Sequence, residues 1–446
     1  MRSSSLRPLQ RQLAAIGRSY YTSISTASPL RRSCASNSYG CGWNSVSRIS
    51  RRGISSTPAP GTTENKNKKL PLAGIRVLDM SRVLAGVNRN KKSLALSFAH
   101  PEGVEILHQL AKDCDVLVEN YLPGSLAKYN MDYDTIRRIN PRLIYASITG
   151  YGQTGPYRNR PGFDVVVEAE FGLMHLTGSR DGPPVKVGVA VTDLTTGLYA
   201  CNSIMAALLA RAHTGEGQYL DVCLSDCQIA TLANMAESVL VSGKRDSGRW
   251  GTAHPSVVPY QGFKTADGDI FIGGANDRLF GILCDKLGRP EWKSDPKFVT
   301  NNARVRNRTE LEGLIEAETK KRTTKEWLQI FEGSGMPYAA VNDVLDTLNH
   351  EHAQARGMVQ EIEHPVCGPI KVLSPPVKYS SATPSIRSPP PMLGEHTDEI
   401  LREVVGLSEE RVQELRERGV VRKKESMSLR GNQLNKKKGL SYRTIA

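Results

Sequence analysis

The first 60 of the 446 residues contain no lysine and no acidic side chain, only nine arginines (Arg2, Arg7, Arg11, Arg18, Arg31, Arg32, Arg48, Arg51 and Arg52) among many serines. Long hydrophobic runs are also missing. The longest apolar stretch, Gly197 to Ala210, covers 14 residues, whereas a bilayer-spanning helix needs about 20. No P-loop, HExxH or GxSxG motif occurs, which removes the usual sequence basis for P-loop nucleotide, zinc-protease and serine-hydrolase chemistry. Of eight cysteines, Cys34 and Cys41 lie in the basic N-terminal segment. Cys114, Cys201, Cys223, Cys227, Cys284 and Cys367 show neither CxxC nor Cys/His metal spacing, so free thiols and no metal site are expected.

The formal charge of +14 sits at the two ends. Residues 61–418 carry a net charge of only about −2, so no basic excess remains in the part that folds, and a nucleic-acid partner is excluded on charge. An Arg-rich, Ser-rich, acid-free start is what a mitochondrial presequence requires, and Arg52-Gly53-Ile54-Ser55-Ser56 resembles a processing site. Residues 1–55 are therefore read as a presequence directing the protein to the mitochondrial matrix, the alternative being a basic tail with no address. Residues 56–70 read as linker.

From there the pattern alternates. Gly74–Met80 reads as a short buried strand, Ser93–Phe98 as a second and Pro101–Lys112 as a helix with Val104, Leu107, Leu110 and Ala111 on one face. Val116–Val118 and Leu143–Ile148 follow as strands, then Tyr219–Leu224, and Asp226–Val241 reads as a helix with Ile229, Leu232 and Met235 toward the core. Strands alternating with helices predict an α/β fold with a parallel, doubly wound sheet. Residues 71–241 are assigned to a large domain and 242–350 to a smaller α+β domain containing an Asp-Gly hairpin signal at Asp267-Gly268. Residues 351–421 return to the large domain and end in helices over Glu395–Arg418, and 422–446 form a basic tail.

Four features could carry chemistry. Asp193, in Val191-Thr192-Asp193-Leu194, opens an apolar helix: it is either an ordinary cap or a carboxylate nucleophile held ionised by the helix dipole. Gly273-Gly274 after a strand either admits a ligand's close approach or makes a tight turn. Asp164, in Pro161-Gly162-Phe163-Asp164, is a second carboxylate or a helix cap. Val87-Asn88-Arg89-Asn90-Lys91-Lys92-Ser93 is a cationic run that meets phosphate or solvent.

The ordered blocks LPLAGIRVLDMSRVLAG, VNRNKKSLAL, VLVENYLPGSLAKYNMDYDTIRRINPRLIYASITGYGQTGPY, PGFDVVVEAEFGLMHLTG, DLTTGLYACNSIMAALLARAHTGEGQYLDVCLSD, HPSVVPYQGFKTADGDIFIGGANDRLF and LGEHTDEIL resemble the class III CoA-transferase family of CaiB/BaiF type over roughly residues 70–420. With the presequence, the similarity is greatest to the mitochondrial branch acting on succinyl-CoA and dicarboxylic acids such as glutarate. The resemblance implies a Rossmann-like large domain, a small domain and an interlocked-ring homodimer. It implies CoA thioesters as substrates and no permanently bound cofactor. Asp193 then matches the catalytic aspartate, Gly273 and Gly274 a shielding glycine loop, and Asp164 a supporting acid. Leu84, Ala85, Leu96, Ser97, Phe98, Ala99, Asn120, Tyr121, Leu122 and Lys128 match positions lining the CoA site.

One departure stands out. Between Gly86 and Val87 the family has a helix, a strand and a basic CoA contact, on the order of 40 residues, that this chain lacks. Met80 and Ser93 are separated by 12 residues, too few for a parallel crossover with its helix, so the first βαβ unit is expected not to close. The expectation is a skipped or mis-assigned exon, or a product that folds poorly and turns over weakly. Two alternatives remain: a 2-methylacyl-CoA racemase-like enzyme, which needs a histidine where Phe163 stands, and a non-catalytic CoA-binding relative.

Overall fold

Four parallel strands form the main sheet in the spatial order of the chain: β1 (Val77–Asp79), β2 (Val116–Glu119), β3 (Ile144–Thr149) and β4 (Tyr219–Cys223). The computed structural model describes residues 70–81 and 88–422. The expected presequence, nearly all of the linker, Leu84, Ala85, the Gly86–Val87 join and the basic tail beyond Arg422 lie outside the described residues.

Three expectations about the start of the sheet are corrected. The first βαβ unit does close: β1 pairs in register with β2, Val77 opposite Val116, through helix α1 (Pro101–Asp113). The intervening residues, unlike the 12 before Ser93, include a whole helix and so satisfy the crossover. Ser93–Phe98 is not a strand of this sheet. Its backbone turns instead to the C-terminal segment, with Ser97 N donating to Val420 O at 2.8 Å, Leu96 bridging Val421 and Gly394 N donating to the Ser93 hydroxyl. Further, β1 is an edge strand among the described residues, and Val77 is 55% exposed rather than buried. An apolar side chain at an open edge marks the place where a further strand would pair.

Helix α1 buries Ile106, Leu107, Leu110 and Ala111, with Val104 only partly covered. Its Gly103 touches the extended segment before it so closely that a Cβ there would lie 2.1 Å from Ser97 O. Helix α2 (Tyr133–Ile139) is capped by Asp132, whose carboxylate accepts from Thr135 N at 3.1 Å. Helices α3 (Asp164–Glu170) and α4 (Val191–Thr214) precede β4, and α5 (Leu224–Thr231) and α6 (Ala233–Ser242) follow it. The single helix expected over Asp226–Val241 is thus two, broken where Ala233 takes φ 45°, and Ile229 is exposed rather than turned to the core, the buried residues of α5 being Leu224, Ser225, Cys227 and Gln228.

The orientation of α4 positions the site. At its C-terminal end Arg211 is buried and pairs with Asp115 at 2.7 Å, while also donating to Arg142 O. Both partners precede strands, so this end of α4 is fastened at the N-terminal edge of the sheet. A 24-residue helix is about 36 Å long, about twice a six-residue strand, and its first turn therefore projects beyond the C-terminal ends of the strands. In open parallel sheets that edge is where ligands bind.

A second sheet is antiparallel: β5 (Tyr260–Lys264), β6 (Asp269–Gly273) and β7 (Tyr338–Ala340), with the Asp267-Gly268 turn between its first two strands. Helices α7 (Asp277–Leu287), α8 (Arg308–Thr319) and α9 (Thr324–Phe331) cover it, burying Phe263, Ile270, Ile272, Leu283, Leu311, Ile315 and Phe331. Thr323 and Glu326 form a capping box that starts α9. A hairpin, β8 (Val359–His364) with β9 (Gly368–Leu373), goes beyond what the sequence pattern indicated. The last helix among the described residues, α10 (Glu409–Glu417), packs Val412 and Leu415 against Ile106 and Leu110 of α1.

Candidate active site

Asp193 lies in the first turn of α4, open to solvent on one side and enclosed by protein on the other. It does not cap its own helix: Ala190 occupies the N-cap position and makes no side-chain cap. The helix start is held by Thr192, whose hydroxyl donates to the Gln228 side-chain oxygen on α5, and by Thr196, whose hydroxyl donates to Thr192 O at 2.7 Å. Thr192, Thr196 and Gln228 are buried, so the turn is rigid while the carboxylate beside it faces solvent.

The electrostatics around Asp193 are unusual for a helix start. The dipole by itself favours a carboxylate there. Burial by the surrounding protein, then the charge of Asp164, then that of Glu168, together push its pKa above the ordinary aspartate value. Asp164 and Glu168 stand one helical turn apart on α3, which packs against α4. Asp164 opens α3, with Phe163 at the N-cap, so the structure brings Asp164 and Asp193 together.

The expected CoA-lining positions gather around the ends of β2 and α1. The Phe98 ring meets Tyr129 edge-on at 5.1 Å, joining the Leu96–Ala99 segment to the loop after β2, and the Lys128 ammonium lies 4.8 Å from the centroid of the Tyr129 ring. Tyr121 N donates at 2.7 Å to the Glu119 carboxylate, which shapes the Asn120-Tyr121-Leu122 turn. Lys128 and Leu122 are exposed. Beside them lies a shallow cleft of about 60 Å³ lined by Glu119, Leu122, Asp132, Tyr133, Ser147 and Tyr219 among others. Burial raises the Glu119 pKa, with Asp221 adding to it against the hydrogen bonds from Ser147 and Tyr121.

Gly273 ends β6 in the second sheet and Gly274 follows it, and both are buried. A Cβ on Gly273 would lie 3.2 Å from Pro337 Cβ, and one on Gly274 would lie 3.0 Å from Pro259 Cγ. Close packing on two prolines leaves little room for a side chain at either position, whatever else the glycines do.

Sequence reasoning passed over two features. Glu168 is fully buried, and the signal for it was its i+4 spacing from Asp164. Gly150-Tyr151-Gly152-Gln153-Thr154-Gly155 has GxGxxG spacing directly after β3. It leads into a loop and not a helix, so it lacks the helix N-terminus that makes that spacing a dinucleotide site.

A parallel α/β sheet with a carboxylate at a helix start beyond its C-terminal edge has the place for a ligand and a group able to act as a nucleophile. The model of CoA-transferase family III matches residues 81–397, and the chain belongs to this family of enzymes. It is 42% identical over 399 residues to succinyl-CoA:glutarate CoA-transferase of Mus musculus, covering 80% of this chain and 91% of the mouse protein. It is 40% identical over 441 residues to the Homo sapiens enzyme of the same name, covering 89% of this chain and 98% of that protein. A CAIB/BAIF family protein from Brucella suis superposes with a TM-score of 0.69 at 36% identity, over 75% of this chain and all of the other. In the human alignment, 89% of 446 residues is about 397, so about 44 of the 441 aligned positions have no residue in this chain.

Proposed function

We propose that the protein moves CoA from succinyl-CoA to a dicarboxylic acid such as glutarate through an aspartyl-CoA thioester on Asp193. The observation that carries this reading is the exposed Asp193 carboxylate on a rigid helix start at the sheet's C-terminal edge, with Asp164 beside it. The names of the mouse and human relatives support the choice of donor and acceptor.

In this mechanism Asp193 attacks the thioester carbonyl, forming a mixed anhydride and releasing CoA thiolate. The thiolate attacks the aspartyl carbonyl, giving aspartyl-CoA and free succinate. The incoming carboxylate then attacks aspartyl-CoA, forming a second anhydride and thiolate, and the thiolate attacks the acceptor's acyl carbonyl to return Asp193 as carboxylate. Each step forms one acyl bond and breaks another, so no net proton is needed. Leu96, Ser97, Phe98, Ala99, Asn120, Tyr121, Leu122 and Lys128, with Leu84 and Ala85 outside the described residues, line the CoA site in this reading, and Gly273 and Gly274 shield the intermediates from water. The test is mass spectrometry of protein mixed with succinyl-CoA and glutarate: glutaryl-CoA and a CoA adduct on Asp193 are expected, and product without any adduct would overturn the pathway.

The same reading includes a homodimer. Leu194, Leu198 and Leu209 on α4 and Leu240 and Val241 on α6 are exposed large apolar side chains, more than a monomer usually leaves to water, and a second copy would cover them. Light scattering is expected to give twice the chain mass; a single-chain mass would reject the dimer. It also includes a matrix address, supported by the acid-free N-terminal arginines. Protein recovered from mitochondria is expected to begin near Ser55, and an intact Met1 terminus there would count against cleavage. The open outer edge of β1 and the roughly 44 unmatched positions of the human relative support a segment lacking after Gly86.

A further inference from the structure

Gln153 has no part in the mechanism above. It stands four residues past the end of β3, in the glycine-rich loop that leads into no helix. The backbone there is fastened on both sides: Gly152 takes φ 86° and donates its N–H to the Thr149 hydroxyl at 2.9 Å, and Gln153 N donates to the Asp221 carboxylate on β4 at 2.9 Å. The side-chain amide is left over. Gln153 lines the cleft at the ends of β2 and β3, and its Nε2 is buried without a hydrogen-bond partner, the one such atom on that cleft among the described residues. An N–H hidden from water with no acceptor is costly, so the position calls for one. Its polar neighbours in the cleft are already engaged with protein. Asp132 accepts from Thr135 N and Oγ1, the Tyr145 hydroxyl donates to Met131 O, the Tyr219 hydroxyl donates to Ser147 Oγ, and Glu119 accepts from Tyr121 N.

We infer that this cleft takes the uncharged pantetheine arm of the CoA thioester and that Gln153 donates its side-chain N–H to an amide carbonyl oxygen of the arm, an inference that rests on the proposed CoA site, of which Leu122 is a shared wall. Charge selects the ligand group. Glu119 and Asp132 line the cleft and no Lys, Arg or His does, so a phosphate or a carboxylate is disfavoured and a neutral acceptor fits. Size points the same way: about 60 Å³ holds on the order of four water-sized groups, one amide unit rather than an adenine ring. Position agrees as well. Glu119 ends β2 and Gln153 follows β3, so the cleft lies at the C-terminal edge of the sheet, past which the first turn of α4 projects with Asp193. The arm is the part of CoA that leads to the reacting thioester, and it reaches Asp193 along that edge. The last torsion of a glutamine side chain is soft, so the amide turns its N–H to the incoming oxygen.

The test reads binding by calorimetry. Wild type, Gln153→Leu, which removes the donor, and Gln153→Glu, which puts an acceptor in its place, are titrated with CoA and with adenosine 3′,5′-bisphosphate, which has the nucleotide head and no arm. CoA affinity is expected to fall about 3- to 10-fold in Gln153→Leu, the scale of one hydrogen bond, and further in Gln153→Glu, whose carboxylate meets a carbonyl oxygen. Affinity for the bisphosphate is expected to stay at the wild-type value in both. The backbone bond from position 153 to Asp221 does not involve the side chain, so both variants are expected to fold. A second measurement needs no variant: in wild type, CoA is expected to slow amide hydrogen exchange over residues 150–155 and the bisphosphate is not. Wild-type CoA affinity in folded Gln153→Leu, an equal loss for the bisphosphate, or a loop that CoA leaves unprotected would each overturn the inference. Failure of the underlying reading looks different: there, wild type binds no CoA at all.

Discussion

Asp193→Ala is expected to lower glutaryl-CoA formation from succinyl-CoA and glutarate by at least about 10³-fold, the scale on which removing a covalent nucleophile acts. The CoA adduct should vanish with it. Fold should be preserved, because Asp193 is exposed, caps nothing and gives no hydrogen bond to the Thr192–Gln228 clasp that holds the helix start. Removal of a carboxylate near Asp164 and Glu168 relieves repulsion, so thermal stability near neutral pH should stay level or rise. An active Asp193→Ala protein would end the covalent reading. If wild-type protein is soluble and dimeric but silent, the experiment is repeated with the lacking segment restored after Gly86. Recovery would assign the silence to the deletion, and continued silence would assign it to the choice of acids.

The largest stability effect is expected at Arg304, far from that chemistry. Its side chain is fully buried in the second core and its guanidinium is used on every side. Nε donates to Val258 O at 2.7 Å, Nη1 to Phe298 O at 2.9 Å and Nη2 to Asp277 at 2.8 Å, while the group lies 4.4 Å from the Phe280 ring centroid. Arg304→Met keeps the stem and leaves two carbonyls of the core without donors. Such losses cost about 3–5 kcal/mol, and urea titration of the variant measures it. Lys297→Ala, which breaks a half-exposed, solvent-screened pair with Glu310, supplies the contrast with a far smaller expected loss. A cost at Arg304 no larger than at Lys297 would show that backbone carbonyls Val258 O and Phe298 O find other donors.

Much of the main sheet was legible beforehand. Val116–Glu119 and Ile144–Thr149 are nearly continuous apolar runs, and α1 carries a one-sided stripe, because a strand covered on both faces and a helix covered on one each leave a local signature. Ser93–Phe98 has the same apolar character and misled for that reason: periodicity reports that a segment is half-buried, not which neighbour buries it. Its partners, Val420 and Val421, are more than 300 residues away.

The candidate site divides in the same way. The local sequence determined that Asp193 stands at a helix start and that the N-terminal 60 residues are cationic, since each follows from residues adjacent in the chain, whereas it left Asp164 open between a second carboxylate and a helix cap. Tertiary structure alone decided that α4 runs with its first turn past the strand ends, through the Arg211–Asp115 pair, and that α3 sets Asp164 and a buried Glu168 against Asp193. Electrostatic interaction depends on distance through the folded protein and on exclusion of water. Neither quantity is a property of a segment until its neighbours are in place.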